Sequence, residues 1–107
     1  MNKVVFIFIS AALFASAHAT ASGNAEAGKA KSTTCAGCHG VDGNSEAAMF
    51  PKLAGQHKDY LLHSLRAYKS GKRKNPIMSG QVLSLTETDM ADLAAYFAKQ
   101  KGLSVKY

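Results

Sequence analysis

Hydrophobic residues recur along much of the chain at the intervals of three and four that place them on one face of an α-helix. The clearest stripe lies in the middle of the chain and consists of Leu61, Leu65 and Tyr68. Gly71 follows this stripe, and glycine commonly ends a helix because it adopts the left-handed conformation without strain. The pattern therefore predicts a helix over residues 58–70.

The last part of the chain carries a second stripe of the same kind, formed by Met90, Leu93, Ala94 and Phe97. Thr86 precedes this stripe as the expected N-cap, and Asp89 stands three residues later, where a carboxylate completes a capping box. Gly102 is expected to end the segment. These features predict a helix over residues 87–101.

The remaining segments carry weaker patterns. A short helix is predicted over residues 25–32, with Asn24 as its N-cap. Residues 47–57 and 72–84 contain proline and glycine and are interpreted as irregular. No segment alternates polar and apolar residues over the length of a strand, so the predicted class is all-α, with three to four helices. A loop of 13 residues is long for a small domain, which indicates that the chain wraps around something.

The first residues have the features of a secretory signal peptide. Lys3 is followed by an apolar run of 11 residues, which is too short to span a bilayer. Small residues precede a cleavage site after Ala19 or, alternatively, after Ala21. We therefore expect residues 1–19 to be removed on export to the periplasm, leaving residues 20–107 as a single domain with no membrane span.

Composition excludes several classes of protein. A length of 107 residues leaves room for one domain and excludes a multidomain enzyme. A formal charge of +6 with 47% hydrophobic residues is typical of a globular protein. Two cysteines are too few for a disulfide-rich scaffold. Nucleic acid is a poor partner for an exported chain that lacks an aromatic stacking pattern.

Cys35, Cys38 and His39 form the most informative motif of the chain, Cys-x-x-Cys-His. In an exported protein this spacing is the attachment signature of c-type haem, in which two thioethers join the haem vinyl groups and the imidazole reaches iron. Three alternatives are weaker. A thioredoxin-type motif needs a βαβ pattern, a zinc site would need a second cysteine pair, and a Cys35–Cys38 disulfide closes too small a loop to stabilise much.

A second axial ligand would decide the chemistry of such an iron, because an open position suits gas binding and a filled one suits electron transfer. The candidates are Met49, Met78, Met90, His57 and His63. Met90 belongs to a helical stripe and is expected in the core, whereas His63 falls on the solvated face of its helix. Met49 is expected to have a hydrophobic role, and His57 to cap a helix or be exposed. Met78 lies outside any stripe, 39 residues after His39.

At these residues the sequence resembles the class I c-type cytochromes, in particular the small bacterial monohaem cytochromes of the c-553 kind. It is also similar to one domain of the dihaem bacterial cytochromes. The matching segments are residues 28–31, 35–40, 51–56, 60–61, 68–73, Met78 and residues 93–97. The resemblance implies the cytochrome c fold, with three to four helices and long loops wrapped round one haem c attached covalently to Cys35 and Cys38.

The resemblance also implies roles for individual residues. It matches Met78 to the methionine that ligates iron opposite His39, and Pro51 to the residue whose carbonyl accepts a hydrogen bond from His39 Nδ1. Gln56 and Arg73 are candidates to meet the haem propionates, with a solvated charge as the equal alternative for Arg73.

A departure from the family pattern concerns the crossing of the first and last helices. Larger members place an aromatic residue about four positions before the first cysteine of the motif, where this chain has Lys31. The helix crossing is therefore expected to depend on Gly28, packed against Tyr96 or Phe97.

A run of basic residues without an intervening acid consists of Arg66, Lys69, Lys72, Arg73 and Lys74. This run is either a solvated helix end or a docking surface for an acidic redox partner. Together the features predict a monomeric periplasmic electron carrier that is not itself an enzyme. The alternatives are a haem subunit that accepts electrons from a specific dehydrogenase and, less favoured, a gas-binding or sensor haem protein.

Overall fold

The computed structural model describes residues 22–104, and within this part the chain is helical and contains no strand. Its helices are α1 (Ala25–Lys31), α2 (Thr33–His39), α3 (Lys58–Ser70), α4 (Pro76–Val82) and α5 (Glu87–Lys99). The all-α prediction is confirmed, but five helices exceed the three to four predicted. No helix in the described part is long and apolar enough to cross a bilayer. The predicted signal peptide, residues 1–19, and the alternative cleavage site after Ala21 lie outside the described residues.

The predicted caps Asn24, Gly71 and Thr86 are confirmed, whereas Gly102 does not end the last helix as predicted. Asn24 Oδ1 accepts a hydrogen bond from the Ala27 amide at 2.9 Å, and Thr86 and Asp89 form the expected capping box. Gly71 ends α3 in the left-handed conformation, with φ of 80°. The helix predicted to reach residue 101 ends two residues earlier, because Gln100 is extended, with ψ of 149°.

The segment predicted as a loop over residues 72–84 contains α4, so that prediction is wrong in part. Asn75 caps the helix, and Pro76 occupies its first turn, where the missing amide hydrogen costs nothing. Val82 is 1% exposed and lies one turn after Met78 on the same face. The Asn-Pro start is a recognised helix signal, but it was outweighed by the proline and glycine content of the segment.

Helix α5 forms the centre of the domain and packs against both α1 and α3. Seven of its 13 residues are buried, among them Met90, Leu93 and Phe97 of the predicted stripe. Leu61 of α3 joins Leu93 and Phe97 in the main apolar cluster. The expectation that Met90 lies in the core is confirmed, since its side chain is only 3% exposed.

The crossing of α1 and α5 occurs at Gly28, as expected. Gly28 is buried, and a Cβ atom placed on it would come within 2.7 Å of the Tyr96 Cβ and still closer to the Asp92 carbonyl. The two helix backbones are therefore in contact, which only glycine permits at this position.

Lys31, at the position where larger family members carry an aromatic residue, binds two carboxylates of α5. Its Nζ lies 2.8 Å from Asp89 and 2.6 Å from Asp92. Asp92 also accepts a hydrogen bond from the Asn24 amide at 2.8 Å. An ionic contact thus replaces an aromatic one on this side of the helix crossing.

Replacing Asp89 by asparagine is expected to lower stability at neutral pH and to have little effect near pH 2. The hydrogen bond from Lys31 and those from Thr86 lower the pKa of Asp89 from 3.8 to about 2. A depressed pKa in the folded state means that the carboxylate stabilises the fold fully above pH 3.8, and that this contribution is lost as the pH falls towards 2. Urea midpoints of wild type and variant, measured at several pH values, should converge in that interval.

Glu87→Gln is the matched control on the same helix. Glu87 pairs with Arg66, but both side chains are 54% exposed, so the loss of this ion pair should change the midpoint little at any pH. A difference between wild type and Asp89→Asn that stays constant from neutral to acidic pH would contradict the role given to Lys31.

Candidate functional site

Helix α2 carries the whole Cys-x-x-Cys-His motif within one and a half turns. Cys35 and Cys38 are three residues apart and therefore lie on the same face, with His39 as the last helical residue. Both cysteines are half-buried, and neither forms a disulfide. Gly40 follows with φ of 87°, a conformation that turns the chain sharply away from the helix. The backbone thus presents two thiols and an imidazole together.

The His39 ring is fixed by a hydrogen bond to the Pro51 carbonyl. The distance from His39 Nδ1 to the Pro51 oxygen is 2.7 Å. A carbonyl oxygen only accepts, so Nδ1 carries the proton and the lone pair of the neutral ring lies on Nε2. This is the contact that the resemblance assigns to Pro51. It leaves Nε2 as the nitrogen able to bind a metal.

The loop that carries Pro51 is held in place by its own turns and by α5. The amides of Leu53 and Ala54 both donate to the Gly43 carbonyl, at 2.8 and 3.2 Å. Gly43 has φ of 85°, and a side chain there would collide with Phe97. These contacts explain why Pro51 reaches His39 although 12 residues separate them.

Several apolar side chains, with Cys35 among them, pack against the core but remain partly exposed. They are Cys35, Leu53, Leu62, Leu65, Leu85 and Ala98. They come from α2, α3, α5 and the segments before α3 and α5. A large planar apolar group packed against such side chains would bury them further, and the thiol and imidazole chemistry of the motif suits a haem.

The other interpretations of the motif find no support in this geometry. Burial raises the pKa of the Cys35 thiol, opposite to the lowering that makes a cysteine reactive in redox motifs. Within residues 22–104 no three His, Cys, Asp or Glu side chains are grouped so as to hold a metal ion by themselves. A thioredoxin-like motif and a zinc site are therefore both disfavoured.

The candidates for a second axial ligand occupy different environments. Met49 is 78% exposed, and Met90 is buried in the core. His63 is exposed on α3, as expected from its position in the stripe. His57 is half-buried next to the start of α3, where its amide donates to Gln56 Oε1 at 2.9 Å. Met78 is half-buried in the first turn of α4, and its assignment as the ligand stays a prediction.

The two residues suggested for the propionates are held by neighbouring groups. Gln56 is half-buried and uses Oε1 to accept the His57 amide. The Arg73 guanidinium lies 4.8 Å from the centre of the Tyr68 ring, and Arg73 Nη1 donates to Ser64 Oγ at 3.4 Å. Arg73 is exposed but held against α3. Their contacts with propionates stay predictions.

Two of the five residues in the basic run near the end of α3 are bound by other groups of the chain. Arg66 donates from both Nε and Nη2 to Oε1 of Glu87 on α5, and Lys69 donates to the Leu85 carbonyl. Glu87 lies 21 residues away in the chain, which hides this pair from a local charge count. The exposed remainder of the run is Lys72, Arg73 and Lys74.

Comparison with known proteins agrees with the interpretation of the motif as a site of haem attachment. Residues 25–101 match the sequence model of the cytochrome c family, which includes α1, the haem motif and α5. The chain belongs to the cytochrome c family. The predicted family is thereby confirmed, and the haem c attached to this domain is the cofactor that the Cys35 and Cys38 spacing implies.

Known cytochromes c resemble the chain over most of its length. Cytochrome c4 of Pseudomonas aeruginosa is 49% identical over 102 residues, which make up 94% of this chain and 50% of that protein. The structure of reduced recombinant cytochrome c4 from Pseudomonas stutzeri superimposes with a TM-score of 0.72 at 49% identity, covering 79% of this chain and 49% of that one. The thiosulfate dehydrogenase electron acceptor of Thiomonas intermedia is 34% identical and covers 94% of this chain.

These comparisons confirm the cytochrome c fold and the assignment of this domain to the c-type cytochromes. The chain spans about half the length of the cytochrome c4 relatives that it matches. It therefore corresponds in length to about half of such a protein. The printed sequence contains a single Cys-x-x-Cys-His motif, which accounts for one haem.

Proposed function

We propose that this cytochrome c domain is an exported, monomeric carrier of single electrons between redox proteins of the periplasm. The observation that carries the proposal is the fixed His39 ring, whose Nε2 is directed to metal binding by the 2.7 Å contact with Pro51, beside two free thiols. Two features support export. Residues 1–19 have the pattern of a signal peptide, and haem is attached to this kind of motif in exported proteins.

The residues that would hold the haem come from separate parts of the fold. Cys35 and Cys38 would hold the haem through thioethers, and His39 and Met78 would bind its iron. When bound with His and Met ligation, the haem supplies one-electron exchange at a raised reduction potential, because a thioether favours ferrous iron. The Pro51 carbonyl raises the basicity of the His39 ring and fixes its orientation. A domain with both axial positions filled carries electrons rather than catalysing bond chemistry.

The haem propionates would contact polar side chains that other residues of the chain already restrain. Contacts with Tyr68 and Ser64 already restrain the Arg73 side chain. An ion pair between Arg73 and a haem propionate would therefore cost little further side-chain entropy. The half-buried Gln56 offers a polar group on the segment before α3. We assign both to the propionates.

The partner is proposed to be a redox protein with an acidic docking surface. Lys72 and Lys74 are exposed on the turn between α3 and α4, with no acidic residue between them. Charges of this kind accelerate encounter, and their effect weakens as salt is added. Because Arg66 is paired with Glu87, it is expected to contribute little to this attraction.

A second candidate is an electron-accepting subunit of a particular dehydrogenase. The relative from Thiomonas intermedia is described as the electron acceptor of a thiosulfate dehydrogenase, which favours this candidate. A stoichiometric larger subunit that co-purifies with the chain at physiological salt would support it. Recovery of the chain alone, with rapid reduction and oxidation by several carriers, would support the free carrier.

The haem proposal predicts the mass and staining of the exported protein. Periplasmic protein should weigh one haem more than its cleaved polypeptide and should stain for covalent haem on a denaturing gel. The Cys35→Ser and Cys38→Ser double variant should lose the stain completely, because no thioether can form.

His63→Ala is the matched control for this experiment, because His63 is an exposed histidine of the same chain. It should keep the stain and the added mass. A wild-type protein whose mass equals that of its amino acids alone would refute the proposal, and the same mass would also locate the cleavage site.

A further inference from the structure

Asn75 makes three hydrogen bonds with the first turn of α4. Its Oδ1 accepts from the amides of Ile77 at 3.0 Å and Met78 at 3.2 Å. Its backbone carbonyl accepts from the Ser79 amide at 2.9 Å. The amide of Met78 itself is therefore bound by this cap, so the position of the Met78 backbone depends on the Asn75 side chain.

The first turn of α4 is more exposed than its last turn. The helix packs against α3 and has seven residues, a length that does not persist in water without support. Its buried residue, Val82, lies in the last turn, whereas Ile77 is 55% exposed. The Asn75 cap therefore helps to hold the turn that carries Met78, and Val82 holds the far end of the helix.

We propose that Asn75 is a positioning residue that keeps the Met78 thioether directed at the haem iron. This inference rests on the proposed function, in which Met78 is an axial ligand. We expect an external ligand that takes the place of Met78 to move the first turn of α4, and the two hydrogen bonds of the Asn75 side chain to oppose that movement. Loss of the cap should therefore ease displacement of Met78 while leaving His39 and both thioethers unchanged.

The test is a titration of the ferric, haem-loaded protein with imidazole. Binding is monitored by the loss of the methionine–iron absorbance. Asn75→Ala should bind imidazole about fivefold more tightly than wild type, since a side-chain N-cap contributes about 1 kcal/mol. Asn75→Asp keeps an acceptor oxygen and should restore the wild-type affinity. Amide hydrogen exchange at Ile77 and Met78 should be faster in Asn75→Ala and normal in Asn75→Asp.

Asn24→Ala is the matched control, because Asn24 Oδ1 caps α1 by accepting one hydrogen bond from the Ala27 amide at 2.9 Å. It should lower overall stability and leave imidazole affinity unchanged. Wild-type affinity in Asn75→Ala, or an equal increase in Asn24→Ala, would overturn the role of Asn75 and leave the ligand assignment intact. Retention of the methionine–iron absorbance in Met78→Ala would instead refute the ligand assignment, and the inference with it.

Discussion

Met78→Ala is expected to abolish the methionine–iron absorbance of the ferric protein and to lower its reduction potential. Removal of the thioether leaves water or a stronger donor as the sixth ligand, and either stabilises ferric iron relative to a methionine. Axial ligands and their surroundings set haem potentials over about 0.8 V, so a decrease of about 0.1 V or more is expected. Covalent haem should remain, because Cys35 and Cys38 are unchanged.

Two other methionines provide controls for this result. Met49 is 78% exposed, and Met49→Ala should leave both the absorbance and the potential near their wild-type values. Met90 is buried in the core, so Met90→Leu should cost some stability without changing the spectrum. Loss of the absorbance in either control, with its retention in Met78→Ala, would show that the ligand has been assigned to the wrong residue. Rapid carbon monoxide binding by ferrous wild type would favour the gas-binding alternative.

Gly28→Ala is expected to destabilise the folded domain by about 3 kcal/mol or more. A new Cβ would overlap the backbone of α5 at Asp92 and the Tyr96 side chain. The overlap can be relieved only if α1 and α5 move apart, which disrupts the packing between them. Small domains have a total stability of about 5–15 kcal/mol, so this loss is a large share of it. The urea midpoint of the haem-loaded protein should fall accordingly.

Gly80→Ala provides the comparison at a helical glycine with open surroundings. Apart from its chain neighbours and the backbone of its own helix, no atom lies within 4 Å of a Cβ at Gly80, and alanine is favoured over glycine in a helix by about 1 kcal/mol. This variant should be as stable as wild type or slightly more so. Equal stability of Gly28→Ala and wild type would mean that α1 and α5 do not touch in the way described here.

Helices α3 and α5 could be predicted because their own residues contain the necessary information. Leu61 and Leu65 define one stripe, and Thr86 with Asp89 defines a helix start that the structure reproduces. The haem motif was equally accessible, since Cys35, Cys38 and His39 are adjacent in the sequence. Local spacing is sufficient wherever the interacting residues lie within a few positions of one another.

Features that depend on distant residues could not be predicted in this way. Lys31 meets Asp92, 61 residues later in the chain, so no local pattern reveals the contact. The pair between Arg66 and Glu87 is hidden for the same reason. Helix α4 is harder to predict for a different reason, because it has one buried residue, Val82, and because Pro76 and Gly80 are typical of a loop.

Asp92 links both ends of α1 to one carboxylate, through the Asn24 amide and the Lys31 ammonium. One added or deleted residue inside α1 would rotate Lys31 by about 100° around the helix axis and turn it away from that carboxylate. A change before Gly28 would also move Gly28 away from its contact with Asp92 and Tyr96. Related domains that keep this contact should therefore vary in length elsewhere, for example between α3 and α4, while preserving the length of their first helix.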